Sequence, residues 1–576
     1  MTIDYLLDRR QALEARYSPW ALRTLSQVLD NAAEQFGDQV FVLTDTQSFS
    51  FTAMAAWSTR IAAGLVELGI KPGEHVALVM ANYPEFVAIK FALARVGAVC
   101  VPVNFLLRER ELSYVLAQSN AVALITMDSF RTSNYIDMLD TMMPAWETEA
   151  AGQNFPELRN VVVFSADGKT RKWQSLGDVE ALGTGESQLE LERRAQNFNT
   201  LQNTDILYTS GTTGNPKGVM LTHDMVVRSG YASAYGRGLE IGHRLVFSLP
   251  MYHVFGYIEC LVAAAFSGAT VVPHLAFDAA EILKAVERHH INEIACVPTM
   301  TLALIDEVRA KSYDLSSLSI MYSSGGIAPP SLWDDIHELF APKVIFHGYG
   351  QTETTAAMTM ALSIEPHVGT DNHYVRISNG VFRNAGVAGA SELGGVLAVY
   401  KTVDVETGED LPRGERGELV VRGPAVTAGY YNKPEETSAA IDANGWLHTG
   451  DIGIVDADDY VYLVGRLKES YRCGGEMVMP REVEILLNEH PGVGQAHVVG
   501  VPHPRMGEVG CAVIIPEGVG QPDPQDLIDL CTKNLARFKV PAHIVFMEAR
   551  ELPLTVTGRV QKFRLSEMCV ERLGSE

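Results

Sequence analysis

"YTSGTTGNPKGVMLTH" (residues 208–223) follows a short apolar run, "DILY", and sets hydroxyl side chains, three glycines and a single lysine within the ten positions 209–218. Glycine removes the side chains that block close approach, so such a segment can turn several backbone N–H groups and hydroxyls toward one oxyanion. Lys217 adds a point charge. The stretch differs from the P-loop pattern GxxxxGK[ST], because Lys217 is followed by Gly218. A flexible connector would account for the glycines, but not for the joint ordering of Thr, Ser, Gly, Pro and Lys.

Outward from this strap the chain alternates between helical and strand-like segments. "FTAMAAWSTRIAAGLVELGI" is amphipathic and stops at glycine, and "HVALVMA" after it is a continuous apolar run of the kind that forms a doubly covered parallel strand. The rhythm returns in "EFVAIKFALARVG" before "AVCVPVN", in "ELSYVLAQSN" before "AVALITM", and in "AAEILKAVERHHINEIACVPT". This predicts layered parallel α/β sheets. "CLVAAAFSGATVVPHLAF" (260–277) reads as a buried helix followed by a strand, and the polar stretch 140–200 as an insertion or loop. From about 380 to 465, turn signals such as "ETGED" and "DADD" predict a β-rich subdomain of hairpins. Beyond a boundary placed at 465–470 the texture is α+β, with helices expected at "PREVEILLNEH" and "DPQDLIDLCTKNLARF". The expected organisation is a large N-terminal α/β domain (1–465) and a small C-terminal domain (466–576).

At 576 residues the chain exceeds one core, and units of about 100–250 residues give three to five of them. A net charge of −24 argues against nucleic acid or an anionic membrane as partner. An anionic substrate must therefore meet a local cationic site set against the global field. Seven scattered cysteines without a CxxC suggest reduced thiols and a cytoplasmic protein. Neither a signal-peptide core nor an apolar run of membrane-spanning length occurs.

The strap resembles the signature loop of the adenylate-forming superfamily, which includes acyl-CoA synthetases, nonribosomal adenylation domains and luciferases. The resemblance runs from about residue 25 to 568, with further motifs in the family's order. It implies that Thr209, Ser210, Gly211, Thr212, Thr213, Gly214 and Lys217 close over the β- and γ-phosphates of ATP. "HGYGQTETT" (347–355) resembles the second family motif: Tyr349, beside Gly350, would stack on adenine, Thr352 would bond the α-phosphate, and Glu353 would hold Mg²⁺. "YSSGGIAPP" (322–330) takes the place of the adenine-contacting segment, with Gly325, Gly326 and Ile327 aligned, although the family more often has a "GGAP"-like run. In "WLHTGDIG" (446–453), Asp451 would accept the ribose hydroxyls. In "GRLKESYRCGGEMVMPREVE" (465–484), Arg466 would contact ribose or phosphate and Lys468 would be the hinge of a mobile C-terminal domain. Gly474 and Gly475 would border the thiol tunnel, and Cys473 reads as a small filler.

"TVTGRVQK" (555–562) departs from the pattern at its most informative position: Arg559 stands where the family has the lysine that bridges acid and α-phosphate. Three readings stay open. Arg559 does the same work, Lys562 replaces it by a shift of the turn, or the adenylation step is altered. "SLPMYHVFGYIE" (248–259) resembles the segment lining the acyl channel, with His253 and Tyr257 near the carboxylate end. The resemblance implies ATP-dependent activation of a fatty or aromatic acid to acyl-AMP, then transfer to CoA, by a monomer or homodimer. Loading of a carrier protein, or adenylation of a non-carboxylate oxyanion such as nitrite, remains an alternative.

Overall fold

A computed structural model describes residues 2–144, 146, 154–167, 172–197, 199–209, 216–325, 331–362, 379–380, 385–518, 520–555 and 560–574. Two α/β sheets share the largest core. The first has six strands in the order Lys217–Thr222, Asn203–Thr209, Val99–Pro102, His75–Val79, Ala121–Met127 and Asn160–Phe164. All its neighbours run parallel except the first pair, Lys217–Thr222 and Asn203–Thr209. Ala121–Met127 is buried along its whole length, which is why its sequence carries no polar alternation. The helix Pro84–Val96 is buried at almost every residue, and Gly97 ends it at φ +83.

The second sheet has eight strands, ordered Ala356–Leu362, Val344–Gln351, Ile320–Ser323, Glu293–Cys296, Arg244–Phe247, Thr270–Pro273, Val40–Leu43 and Ser48–Ser50. Its interior pairs are parallel and its two edge pairs antiparallel. Segment 260–277 is helix then strand as expected, but the helix opens as a π-helix over Phe255–Val262. Stretch 140–200 differs from the expected loop. Asn160–Phe164 extends the first sheet, and two short helices, Leu176–Leu182 and Gly185–Ala195, follow with Ser175 and Thr184 as N-caps.

Hairpins then build an antiparallel sheet of Asn379–Gly380, Val461–Arg466, Leu447–Val455, Arg416–Arg422 and Val399–Val403. The last sheet holds Glu476–Val478, Tyr471–Cys473, Gly507–Pro516 and Val493–His503, with His543–Phe546 parallel to Gly507–Pro516. It encloses its own core, which includes Val498, Ile514, Leu527 and Leu565. The expected helices occur at Pro480–Leu487 and Pro524–Asn534, the latter capped by Asp523. Arg416 bonds Glu482 at 2.6 Å and so ties the hairpin sheet to the helix Pro480–Leu487.

Four histidines are pushed well below their ordinary value of 6.5 by burial: His223 to about 3, and His253, His347 and His497 to about 4. They stay neutral in the fold while the unfolded chain takes up protons below 6.5, so stability is present above that value and lost as pH falls toward 4. Thermal unfolding followed by circular dichroism from pH 7.5 to 5 is expected to show a midpoint that declines steadily below about 6.5. A flat or rising midpoint would contradict neutral burial of these rings.

Candidate active site

The strap is mounted on an antiparallel pair in which Lys217 faces Thr209. Ser210, Gly211, Thr212, Thr213 and Gly214 lie outside the described residues. Beyond Lys217 the strand ends at Thr222, whose hydroxyl accepts from Met225 N and starts the next helix. Lys217 Nζ sits 4.1 Å over the ring of Tyr430, a residue the sequence motifs did not single out.

The second motif lies at the edge of the other sheet. The strand Val344–Gln351 runs into a 3₁₀ turn, Thr352–Thr354, and returns as Ala356–Leu362. The reversal is tight: Thr355 and Ala356 adopt φ +57 and +106, which residues bearing a Cβ rarely do. Gly350 has no room for a side chain, since a Cβ there would lie 1.9 Å from Ala356 O. Thr352 is buried at the start of the turn, and Glu353 is half-buried. One oxygen of Glu353, Oε1, accepts from the Tyr430 hydroxyl at 2.9 Å. Burial and the neighbouring Glu353 push the Tyr430 hydroxyl above its ordinary range, so it stays a proton donor. Among the described residues no cluster of three or more metal-ligating side chains occurs. A single carboxylate is the protein's usual share where Mg²⁺ is held mostly by water and substrate phosphate, so Glu353 fits that ion.

Asp451 gathers the third group. Its Oδ2 accepts from Tyr349 OH at 2.7 Å and from Gln351 Nε2 at 2.9 Å, and its Oδ1 lies 2.9 Å from Arg466 Nε. Asp451 and Arg466 are register partners on adjacent strands, whereas Tyr349 and Gln351 come from the other sheet. The structure thus brings Tyr349, Asp451 and Arg466 together and adds Gln351. Burial, then the nearby Asp451, raises the Tyr349 hydroxyl well above its ordinary value. Beyond Arg466, Lys468 lies in a short 3₁₀ turn, Leu467–Glu469. Gly474 and Gly475, at φ +62 and +93, form the two-residue tip of the hairpin joining Tyr471–Cys473 to Glu476–Val478. Cys473 packs in the core of that last sheet.

The acid-side candidates separate. His253 Nδ1 accepts from Phe255 N at 3.3 Å, and burial keeps the ring neutral. Tyr257 is fully buried, its hydroxyl 3.2 Å from Asp205 Oδ2 and its ring 4.7 Å beneath Lys90 Nζ, so its polar end is committed within the protein. On the same π-helix, Glu259 accepts from Ala357 N at 3.0 Å and Tyr322 OH at 3.2 Å, which ties this segment to the strand after Glu353. Gly325 ends the strand Ile320–Ser323 at φ +85, and Phe255 lies within 3.8 Å of where its Cβ would be. Gly326, Ile327 and Arg559 lie outside the described residues. Lys562 Nζ pairs with the buried Glu484 at 2.5 Å and lies 3.9 Å from Glu469.

Lys217, Glu353 and the Asp451 group thus lie along one run of contacts, through Tyr430 on one side and Gln351 on the other. Residues 29–431 match the model of the AMP-binding enzyme family and residues 482–559 that of its C-terminal domain, and the chain belongs to this family. It is 32% identical to a feruloyl-CoA synthase of an Amycolatopsis species, covering 89% of this chain and 93% of that one. It is 30% identical to the mitochondrial medium-chain acyl-CoA ligase ACSF2 of Danio rerio, covering 96% and 90%. ATP-bound MatB from Rhodopseudomonas palustris superposes with a TM-score of 0.79 at 25% identity, over 94% of this chain and 98% of that one. The chain is an AMP-forming acid–CoA ligase: it activates a carboxylic acid with ATP and passes the acyl group to CoA. No helix of the described residues is long and apolar enough to cross a membrane.

The tight reversal beside Glu353 gives a direct test. Gly350→Ala forces its new methyl against Ala356 O, and is expected to lower the unfolding midpoint and weaken ATP binding about tenfold or more. Gly185→Ala, at an open helix start with nothing within 4 Å, should change neither. Equal behaviour of the two variants in calorimetric titration with ATP would remove the packing argument.

Proposed function

We propose that the three groups act on one ATP. Lys217 with the strap residues 209–214 restrains the outgoing pyrophosphate. Thr352 bonds the α-phosphate, Tyr349 and Gly350 face adenine together with the segment 325–327, and Asp451 and Arg466 hold the ribose. The observation that carries this reading is continuity: Asp451 bonds Gln351, Gln351 adjoins Thr352 and Glu353, and Glu353 shares Tyr430 with Lys217. Mg²⁺ held at Glu353 would supply charge neutralisation at the phosphates.

A carboxylate attacking the α-phosphorus brings anion toward anion, so the site must supply oriented positive charge where negative charge develops. Arg559 is assigned that task at the α-phosphate. Its fork matches two oxygens, and the alternative cation, Lys562, is already paired with Glu484. The acyl-AMP then meets the thiol of CoA after rotation about Lys468, which would bring the Gly474–Gly475 hairpin toward the tunnel. The acid enters beside His253, whose neutral ring adds no charge. Relatives acting on medium-chain and on feruloyl acids support a fatty or aromatic substrate. The seven free cysteines are all buried, which supports residence in a reducing cytoplasm.

A screen of short, medium-chain, long and aromatic acids for pyrophosphate release, with and without CoA, tests this directly. Release should require acid, and acyl-CoA should form when CoA is present. Arg559→Ala should cut acid-dependent ATP–pyrophosphate exchange by about a hundredfold or more. Full exchange by that variant would withdraw Arg559 from the reaction.

A further inference from the structure

We propose that Tyr430 is a positioning residue for the adenylation step: it holds Lys217 on its ring face and Glu353 at its hydroxyl, and so keeps the phosphate-binding cation and the metal-binding carboxylate apart. The proposal rests on the roles assigned above to Lys217 and Glu353. The distances are 4.1 Å from Lys217 Nζ to the ring and 2.9 Å from the hydroxyl to Glu353 Oε1. Lys217 and Glu353 do not pair with each other, although one side chain separates them. Opposite unit charges at about 4 Å attract by about 4 kcal/mol in a partly screened setting, so an unobstructed lysine and glutamate would close into an ion pair. Such a pair would neutralise both groups before the substrate arrived. Tyr430 gives each charge a separate partner of the right kind, a π-face for the ammonium and an O–H for the carboxylate. Because Oε1 takes the hydroxyl, Oε2 is left to the metal, with the charge of Arg466 acting on the same carboxylate.

Tyr430 is itself fixed. Its backbone N donates to Thr437 Oγ1 at 3.0 Å, and it bridges to Val219 on the strap strand. Gly429 before it sits at φ +142 with no room for a Cβ, which would lie 2.4 Å from Thr437 Cγ2. Thr427 N donates to Glu353 O at 2.8 Å, and Tyr431 N to Gly218 O at 2.8 Å. One short segment therefore sets the backbone positions of both charged residues as well as their side chains. Carboxylates that bind metals commonly depend on such outer partners, and removing one costs about 10- to 100-fold in metal affinity.

The experiment separates metal from nucleotide. Mn²⁺ binding to the full-length protein with ATP is followed by electron paramagnetic resonance, and ATP binding without divalent metal by calorimetry. Tyr430→Phe deletes one oxygen and keeps the ring. It should weaken Mn²⁺ about tenfold while leaving metal-free ATP binding and the unfolding midpoint unchanged. Tyr430→Leu removes both partners, and metal-free ATP binding should then weaken as well. Lys217→Met should weaken ATP without metal and, once ATP saturates the variant, leave Mn²⁺ near its wild-type affinity, an arm that stands even if position 430 tolerates no change. Glu353→Gln is the reference for the assigned metal ligand. If Glu353→Gln weakens Mn²⁺ and Tyr430→Phe does not, the positioning role is overturned and the assignment of Glu353 stands. If neither weakens it, both are overturned.

Discussion

Two sheets that share no strand carry Lys217 and Glu353, and the segment Ala425–Tyr431 ties the one to the other. It receives Met220 N on Gly429 O at 3.2 Å and gives Tyr431 N to Gly218 O, which fastens it to the strap strand. On the other side Thr427 N reaches Glu353 O, and Thr355 Oγ1 donates to Ala425 O at 2.6 Å. Thr427 spans both, because its hydroxyl donates to Met220 O at 2.7 Å. Individually these hydrogen bonds contribute about 1 kcal/mol each. Their effect here is geometric: they fix the distance between the strand that carries Lys217 and the turn that carries Glu353.

A second seam lies at Asp451. A carboxylate this deeply buried has to be satisfied, and three side chains from two sheets satisfy it. The hairpin sheet is thereby held against the edge of the eight-stranded sheet. The residue proposed to receive the ribose also joins the two layers. The net charge of −24 is compatible with an anionic substrate when the positive charge it meets is local, the task proposed for Lys217, Arg466 and Arg559.

The layered architecture was legible because buried parallel strands such as Ala121–Met127 carry uninterrupted apolar runs that few other environments tolerate. The strap stood out through its local composition, and Glu353 and Asp451 through the resemblance of the stretches around them to family motifs. Gln351 and Tyr430 did not, since their partners lie 100 and 77 residues away and no local pattern marks an aromatic that will bridge a lysine and a glutamate. Asn160–Phe164 was missed because polar sequence surrounds it, although its apolar triplet extends a sheet edge. Tyr257 was expected near the carboxylate end of the acid, yet its hydroxyl turns to Asp205, a partner the primary structure cannot orient. The π-helix over Phe255–Val262 is likewise indistinguishable in composition from an α-helix.

The claim on which the rest hangs is that a short connecting segment couples the strap to the glutamate turn. Hydrogen–deuterium exchange with and without ATP measures that coupling at the amides of Met220, Thr427 and Tyr431. Joint slowing of all three on nucleotide binding, by similar factors, is the outcome this structure demands. Protection confined to one side of the seam would show that the two sheets meet the nucleotide independently.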